Sequence, residues 1–150
     1  MILKLSNEVE AILASQGWFP KRRIDIRSWI EQLQGEGFHS SCIAAQILQN
    51  LGGLKFAPPR PGNTAYAPDD IIFNPIAAAS GEIDRFDGWN QRYQLNLFPL
   101  GECLHIMILS VNEDGRVFAG TRGAFCLVGA DLSEALEVLT LARKRPIVFK

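Results

Sequence analysis

Two histidines and three cysteines are the side chains of this chain whose spacing could serve a metal ion. His39 and Cys42 lie three residues apart at a predicted helix start, and Cys103 and His105 lie two apart on a predicted strand, where they would share one face. The four would make a Cys2His2 set, but zinc sites usually use closely spaced cysteine pairs, which the sequence lacks. We therefore predict no metal. The expected alternative is a strand face over the core, formed by Cys103, His105, Met107 and Leu109.

The common catalytic motifs are missing from the sequence. It contains no G-x-S-x-G nucleophile elbow, no P-loop and no H-E-x-x-H helix. A Ser/His/Asp triad could be assembled in space only around His39 or His105, and no spacing points to one. Gly35-Glu-Gly37 resembles part of a dinucleotide fingerprint, but it stands between two helices and not after a strand. We predict no catalytic residue and no cofactor, and so a protein that is not an enzyme.

Composition and charge narrow the class of protein further. The chain has 150 residues, 47% of them hydrophobic, and a net charge of −1. It is long enough to bury its own core as a single domain over residues 1–150. The near-neutral charge argues against direct binding of nucleic acid, and no apolar run approaches the length of a membrane span. Three cysteines without paired spacing indicate free thiols, so we expect a cytoplasmic protein.

Apolar residues recur at helical spacing in three segments of the first third. These stripes lie within Val9–Leu13, Ile26–Leu33 and Ile43–Leu51. The expected caps are Ser6 or Asn7, Asp25, and Ser40 or Ser41, and the expected stops are Gly17, Gly35 with Gly37, and Gly52 with Gly53. The sequence therefore predicts three N-terminal helices. The basic Lys21-Arg22-Arg23 between the first two is expected to be solvated surface, or to pair Arg22 with a carboxylate at the core edge.

The remainder of the chain reads mainly as strands. Short strands are predicted at Leu54–Phe56 and Ile71–Phe73, on either side of a proline-rich loop, Ala57–Asp70. Ile76–Tyr93 is ambiguous, because its alanines favour helix while Ser80-Gly81 and Asp87-Gly88 interrupt one. Further strands are predicted at Cys103–Val111, Arg116–Thr121 and Phe125–Val128, with a hairpin at Asp114-Gly115 and a closing helix capped by Asp131. The fold class is α+β, with N-terminal helices packed on one mainly antiparallel sheet of four to six strands and a C-terminal helix.

The charged side chains are distributed unevenly. Residues 61–102 carry two basic and six acidic side chains, a balance of −4, against +2 before this segment and +1 after it. Acidic loops with an aromatic anchor suit a basic protein partner, although a merely solvated acidic face is an equal alternative. The candidate partner-binding residues are Tyr66, Asp69, Asp70, Glu82, Asp84, Phe86, Asp87 and Trp89.

Five stretches in order resemble the third group of the SUKH superfamily of bacterial immunity proteins. They are GWFPKRRIDI (Gly17–Ile26), LGGL (Leu51–Leu54), LFPLGE (Leu97–Glu102), NEDGRVF (Asn112–Phe118) and GADLSEALEVL (Gly129–Leu139). The resemblance covers roughly residues 8–141. The chain departs from the pattern at Lys21, where the family tends to have glycine, and at Leu51, where it tends to have an aromatic residue.

The resemblance implies a fold and a partner, but no catalytic residue. It implies a SUKH-like fold and a cytoplasmic immunity protein that neutralises a cognate toxin domain, often a nuclease or a nucleic-acid deaminase. The alternative is a non-catalytic regulatory interaction module of the same superfamily. The motif residues are expected to be architectural, with Trp18 and Trp29 largely buried. These structural positions are Gly17, Trp18, Pro20, Arg22, Gly52, Gly53, Pro99, Gly101, Asp114 and Gly115.

Overall fold

A computed structural model describes residues 1–58 and 63–150. The helices are α1 (Asn7–Ser15), α2 (Arg27–Gly35), α3 (Cys42–Leu51), α4 (Pro75–Ala79), α5 (Ile83–Tyr93) and α6 (Leu132–Leu141). The strands are β1 (Lys55–Phe56), β2 (Ile71–Ile72), β3 (Leu97–Cys103), β4 (Met107–Asn112), β5 (Val117–Gly120), β6 (Phe125–Gly129) and β7 (Ile147–Val148). The proline-rich loop predicted at Ala57–Asp70 lies partly outside the described residues, at positions 59–62.

Three helices begin where the sequence places a side-chain cap. The Ser6 hydroxyl accepts from the Val9 N–H at the start of α1, and the Ser41 hydroxyl accepts from the Ala44 N–H at the start of α3. The Asp131 carboxylate accepts from the Glu134 N–H at the start of α6, 2.8 Å away. Each bond satisfies an amide that the first helical turn leaves without a partner.

The start of α2 differs from the prediction by one residue. Ile26 occupies the N-cap and makes no side-chain capping bond. Asp25 lies one position earlier, where its carboxylate accepts from the Arg27 N–H at 3.0 Å and from the Arg27 guanidinium. These bonds to Arg27 hold the pKa of Asp25 at about 2, below its ordinary value.

Glycines at positive φ end the first two helices. Gly17 has φ +96° and Gly37 has φ +105°. In both, the next residue donates across the end of the helix: the Trp18 N–H to the Leu13 carbonyl and the Phe38 N–H to the Leu33 carbonyl. This is the Schellman arrangement, which needs a left-handed residue that glycine adopts without steric cost.

The strands form one sheet in the order β1-β2-β3-β4-β5-β6-β7, and every neighbouring pair is antiparallel. The α+β class with a C-terminal helix is confirmed. Seven strands in the described part of the chain exceed the four to six expected, because the two-residue strand β7 and the strand β3 were not foreseen from the sequence.

The prediction of one strand over Cys103–Val111 is wrong. Cys103 ends β3, and a turn follows in which Leu104 and His105 have φ +50° and +71° before β4 begins at Met107. Cys103 and His105 therefore do not share a strand face. His105 lies in the turn with an exposed side chain, and only Cys103 is buried.

The hairpin predicted at Asp114-Gly115 is present between β4 and β5. Gly115 has φ +92°, which is the left-handed position of a three-residue hairpin loop. The Asn112 side chain accepts from the Asp114 and Arg116 N–H groups at 3.1 and 2.9 Å. Because Asn112 is almost fully buried, these bonds fix the loop to the end of β4.

The middle segment is more helical than expected. Asn74 caps α4, with its side chain accepting from the Ala77 N–H, and Pro75 takes the first helical position. Ser80-Gly81 breaks the chain as predicted, but α5 runs through Asp87-Gly88 without interruption. The acidic side chains of residues 82–87 therefore stand on a helix and its N-terminus, not on a loop.

All six helices and strands β1–β6 contribute side chains to one hydrophobic cluster. Trp18 is buried as expected, whereas Trp29 is only half-buried. The Trp29 ring packs against Gly52, where an added Cβ would lie 2.7 Å from it and would overlap the Leu48 carbonyl oxygen. Glycine is therefore required where α3 turns toward the sheet. None of the described helices is long and apolar enough to cross a bilayer.

Candidate partner-binding surface

Helix α5 turns an aromatic stripe inward and carboxylates outward. Phe86, Trp89 and Tyr93 follow the i, i+3, i+7 spacing of one helical face. Phe86 is fully buried against Phe38, with ring centroids 5.0 Å apart. Asp84 stands on the opposite, exposed side.

Two of the aromatic residues that the sequence suggested as anchors are therefore core side chains. Phe86 is 0% exposed and Trp89 is 7% exposed. The Trp89 ring packs against the ring of Phe125 and over Gly120, where an added Cβ would approach it to 2.7 Å. Their helical spacing is the sequence feature that indicates burial. They can support a binding surface from below, but a partner cannot insert between them without unpacking α5.

The carboxylates of α5 have distinct surroundings. Glu82 precedes the helix and pairs with Arg85 at 3.1 Å. Asp84 lies in the first turn, where the helix dipole favours a negative charge, so a structural role also accounts for its type. Asp84 and Asp87 are exposed and form no ion pair with a described residue. They are the acidic groups of this helix that remain available to a partner.

The other candidate residues lie before β2 and are engaged within the fold. Asp69 contacts the Nδ1 of His105 at 2.6 Å, and Asp70 pairs with Lys55 at 3.2 Å. The Tyr66 hydroxyl donates to the Val138 carbonyl of α6, and burial raises the pKa of this phenol. These residues tie the loop and the β3–β4 turn to the body of the protein. They are distinct from the exposed carboxylates of α5.

A groove of about 700 Å³ separates α5 from the β5–β6 turn. Trp89, Tyr93, Phe125 and Phe149 line it with aromatic surface. Its carboxylates are those of Glu82 and Asp84, and its cations are Arg85, Arg92, Arg122 and Lys150. Arg85 is paired with Glu82, whereas the other three cations form no ion pair with a described residue. The groove is therefore basic, although it borders the acidic helix.

A second groove, of about 330 Å³, lies at the β6–β7 edge and is mostly apolar. It is lined by Tyr66, Leu104, Met107, Cys126, Arg145, Pro146 and Val148, together with Ala124 and Phe125 of the first groove. In β7, Ile147 and Val148 are strongly exposed, at 56% and 65%, and Ile106 of the β3–β4 turn is exposed at 74%. The exposed apolar side chains of β7 were not foreseen, because a two-residue strand leaves no periodic pattern in a sequence.

The motifs around Trp18 and Gly52-Gly53 build a hydrogen-bonded joint. Its centre is Asn50, whose side chain accepts from the Trp18 indole N–H at 2.8 Å and donates to the Pro20 and Arg22 carbonyls, each at 3.1 Å. Arg22 donates in turn to the Asn50 and Gly52 carbonyls. Arg22 thus bonds backbone carbonyls, and the carboxylate partner considered for it from the sequence is wrong.

The four residues considered as metal ligands are not brought together. His39 and Cys42 are exposed around the start of α3, Cys103 is buried at the end of β3, and His105 lies in the turn that follows. Across residues 1–58 and 63–150, no three His, Cys, Asp or Glu side chains approach each other closely enough to hold a metal ion.

In the part of the chain that the structure describes, helices pack on a seven-stranded antiparallel sheet, which defines the class as an α+β scaffold. The model of the SUKH-3 immunity protein family matches residues 5–141, and the chain belongs to that family. The resemblance of the five sequence motifs is thereby confirmed. No curated protein and no solved structure matches the chain significantly.

Proposed function

We propose that this protein neutralises a cognate toxin domain by binding it in the cytosol, without catalysis of its own. The observation that carries the proposal is the match of residues 5–141 to the SUKH-3 immunity protein family. The cluster of buried side chains that all the described helices share supports a one-domain scaffold over residues 1–58 and 63–150. We further propose a nuclease or nucleic-acid deaminase as the toxin. Such an enzyme must present a basic surface to bind phosphate, and a basic surface would suit the exposed carboxylates of α5.

The exposed side of α5 is the proposed site of first attraction. Asp84 and Asp87 project from it without an ion pair to a described residue. Opposite charge across an interface accelerates encounter and selects among partners. Asp69, Asp70 and Tyr66 are secondary in this proposal, since each already has a partner within the fold.

Charge alone cannot hold such a complex. A nanomolar complex needs about −12 kcal/mol, from an interface of roughly 1,600 Å². Exposed ion pairs contribute only about 0–1 kcal/mol each. Apolar contacts must supply most of the remainder, and Phe86 and Trp89 are buried beneath α5. The exposed Ile106, Ile147 and Val148 replace them as the proposed apolar contacts.

The test uses the toxin domain encoded beside this gene. We expect the purified protein to bind that domain and to restore growth when the two are co-expressed. Reversing Asp84 and Asp87 to Lys should weaken protection. The matched control, Glu31→Lys, reverses an exposed charge on α2 and should leave protection intact. If the wild-type protein did not bind the neighbouring toxin, the regulatory interaction module would be the better interpretation.

A further inference from the structure

Among residues 1–58 and 63–150, the last strand of the sheet has a neighbouring strand on one side only. β7 pairs with β6 through Cys126↔Val148 and Leu127↔Ile147, and it is the terminal strand in the sheet order. The Phe149 N–H donates to the Phe125 carbonyl, so residue 149 turns its amide toward β6. Because backbone groups alternate along an antiparallel strand, the N–H and carbonyl of Val148 face the open edge. An unpaired edge of this kind is a template for a further strand.

Side chains alternate across this edge between the two grooves. Val148 lies beside Cys126 and lines the apolar groove, whereas Phe149 lies beside Phe125 and lines the basic groove. A strand added to β7 would follow the same alternation, since its successive side chains point to opposite faces. On one face, alternate residues of the added strand would meet the apolar groove. On the other face, they would meet the basic groove with Arg92, Arg122 and Lys150.

The charges around β7 select among possible strands. Residues 142–150 contain four cations, Arg143, Lys144, Arg145 and Lys150, and no acidic residue. Arg143 pairs with Glu8 and Lys144 with Glu134, while Arg145 and Lys150 have no ion-pair partner in the described structure. Two copies of β7 paired antiparallel would bring Arg145 of one close to Lys150 of the other, so like charge opposes a dimer through this edge.

We propose that β7 is a docking edge for an extended, acidic segment of a partner protein, in which acidic and apolar side chains alternate. That segment would join the sheet beyond β7, with its acidic residues toward the basic groove and its apolar residues toward the apolar groove. With the toxin domain as partner, this deepens the proposed function and rests on it. The strand lies beyond the residues that match the family, so the inference comes from this chain alone.

One substitution distinguishes binding through an added strand, which uses backbone hydrogen bonds, from binding through side-chain contacts alone. Val148→Pro removes the N–H that faces the open edge, while the amide of Phe149 can still bond β6. Proline is tolerated on edge strands when its missing N–H faces solvent. Val148→Ala is the matched control, because it trims the side chain and keeps the amide.

The first experiment titrates ¹⁵N-labelled protein with a synthetic peptide of alternating glutamate and valine. We expect the amide resonances of Arg145, of residues 147–150 and of β6 to shift, and Val148→Pro to weaken binding about two- to tenfold more than Val148→Ala does, because only the proline removes a backbone hydrogen bond. Val148→Ala should lose only the contacts of the trimmed side chain. The double variant Arg122→Glu/Lys150→Glu, which reverses two cations of the basic groove, should also weaken binding, and a lysine–valine peptide should not bind.

Several results would overturn the docking edge. The first is that Val148→Pro binds the peptide as tightly as its matched control Val148→Ala, and the second is that only the amide resonances of other strands shift. The third is that the glutamate–valine peptide does not bind, and the fourth is that amide resonances shift only when an oligothymidylate is added instead. Concentration-dependent shifts of β7 without peptide would assign the edge to a second copy instead.

The second experiment uses the neighbouring toxin domain. Unchanged toxin binding by Val148→Pro would remove β7 from the complex and leave the proposed function standing. If the peptide bound at β7 but the toxin domain did not bind at all, the docking edge would stand and the proposed function would be wrong.

Discussion

Asn50 joins two sequence motifs at the scale of single residues. Its amide bonds the Trp18 indole and the Pro20 and Arg22 carbonyls, and it is 8% exposed. Neither motif contains it, and a polar residue near the end of an apolar helical stripe gives no sign of its partners. The sequence indicated that Trp18 and Arg22 are architectural. It could not show which side chain connects them, because the contacts span about thirty residues.

Asn50→Ala should therefore destabilise the fold strongly. The substitution leaves the indole N–H without its partner in a buried position and two carbonyls without theirs in partly buried ones. Each buried polar group left unpaired costs about 1–3 kcal/mol, so we expect a loss of about 2–5 kcal/mol in the free energy of unfolding. Urea denaturation followed by tryptophan fluorescence measures it. Gln46→Ala, on an exposed position of the same helix, should change little. Equal stability of the two variants would show that the joint contributes nothing.

The three thiols should differ sharply in reactivity. Cys42 is exposed, whereas Cys103 and Cys126 are buried. Burial raises the pKa of Cys126 to about 11 and that of Cys103 further, so both stay protonated at pH 8. Ellman's reagent should modify one thiol quickly and all three only after denaturation. Cys42→Ser should abolish the fast phase, and a fast phase that persisted in this variant would place a second thiol at the surface.

At the scale of elements, the sequence predicted α1, α2, α3 and α6, left α4 and α5 ambiguous, and predicted the strand pair β3–β4 badly. Caps and glycine stops are local features, and α1, α3, α6 and the Asp114-Gly115 hairpin follow them. Strand β3 contains Pro99 and Gly101, which are strand breakers in a sequence, and the structure places a register shift between them. The turn after β3 puts Leu104 and His105 at positive φ, where glycine or asparagine is the usual sign. Both failures come from tertiary context overriding local preference.

Two glycines of these elements should respond in opposite directions to alanine. Gly88 lies inside α5, and an added Cβ there would meet nothing within 4 Å. Gly88→Ala should therefore raise the stability by roughly 0.5–1 kcal/mol, since glycine is a poor helix former. At Gly101 an added Cβ would overlap the Ile72 carbonyl oxygen, so Gly101→Ala should separate β2 from β3 and lower the melting temperature. Differential scanning calorimetry of both variants tests this. Destabilisation by Gly88→Ala would mean that α5 is not a continuous helix.

At the scale of the whole molecule, a net charge of −1 hides two surfaces of opposite sign. The exposed side of α5 presents Asp84 and Asp87, while residues 142–150 are cationic. The sequence balance of −4 over residues 61–102 pointed to the first surface. It could not indicate that cations of α5 and the β5–β6 turn join the cationic C-terminal segment, because these side chains come together only in the fold. Under the two proposals above, the partner matches both signs in one orientation, which favours specificity over affinity.

These surfaces should affect different rate constants of toxin binding. Asp84→Lys/Asp87→Lys should slow association by about tenfold at low salt and flatten its salt dependence, because exposed charges act mainly on encounter. The dissociation rate should change little in that variant. Val148→Pro should instead speed dissociation and leave association nearly unchanged, since short-range contacts set the lifetime of a complex. Surface plasmon resonance at several salt concentrations separates the two effects, with Glu31→Lys as the control for any charge reversal. If both variants changed only dissociation, α5 would be part of the packed interface and not a steering surface.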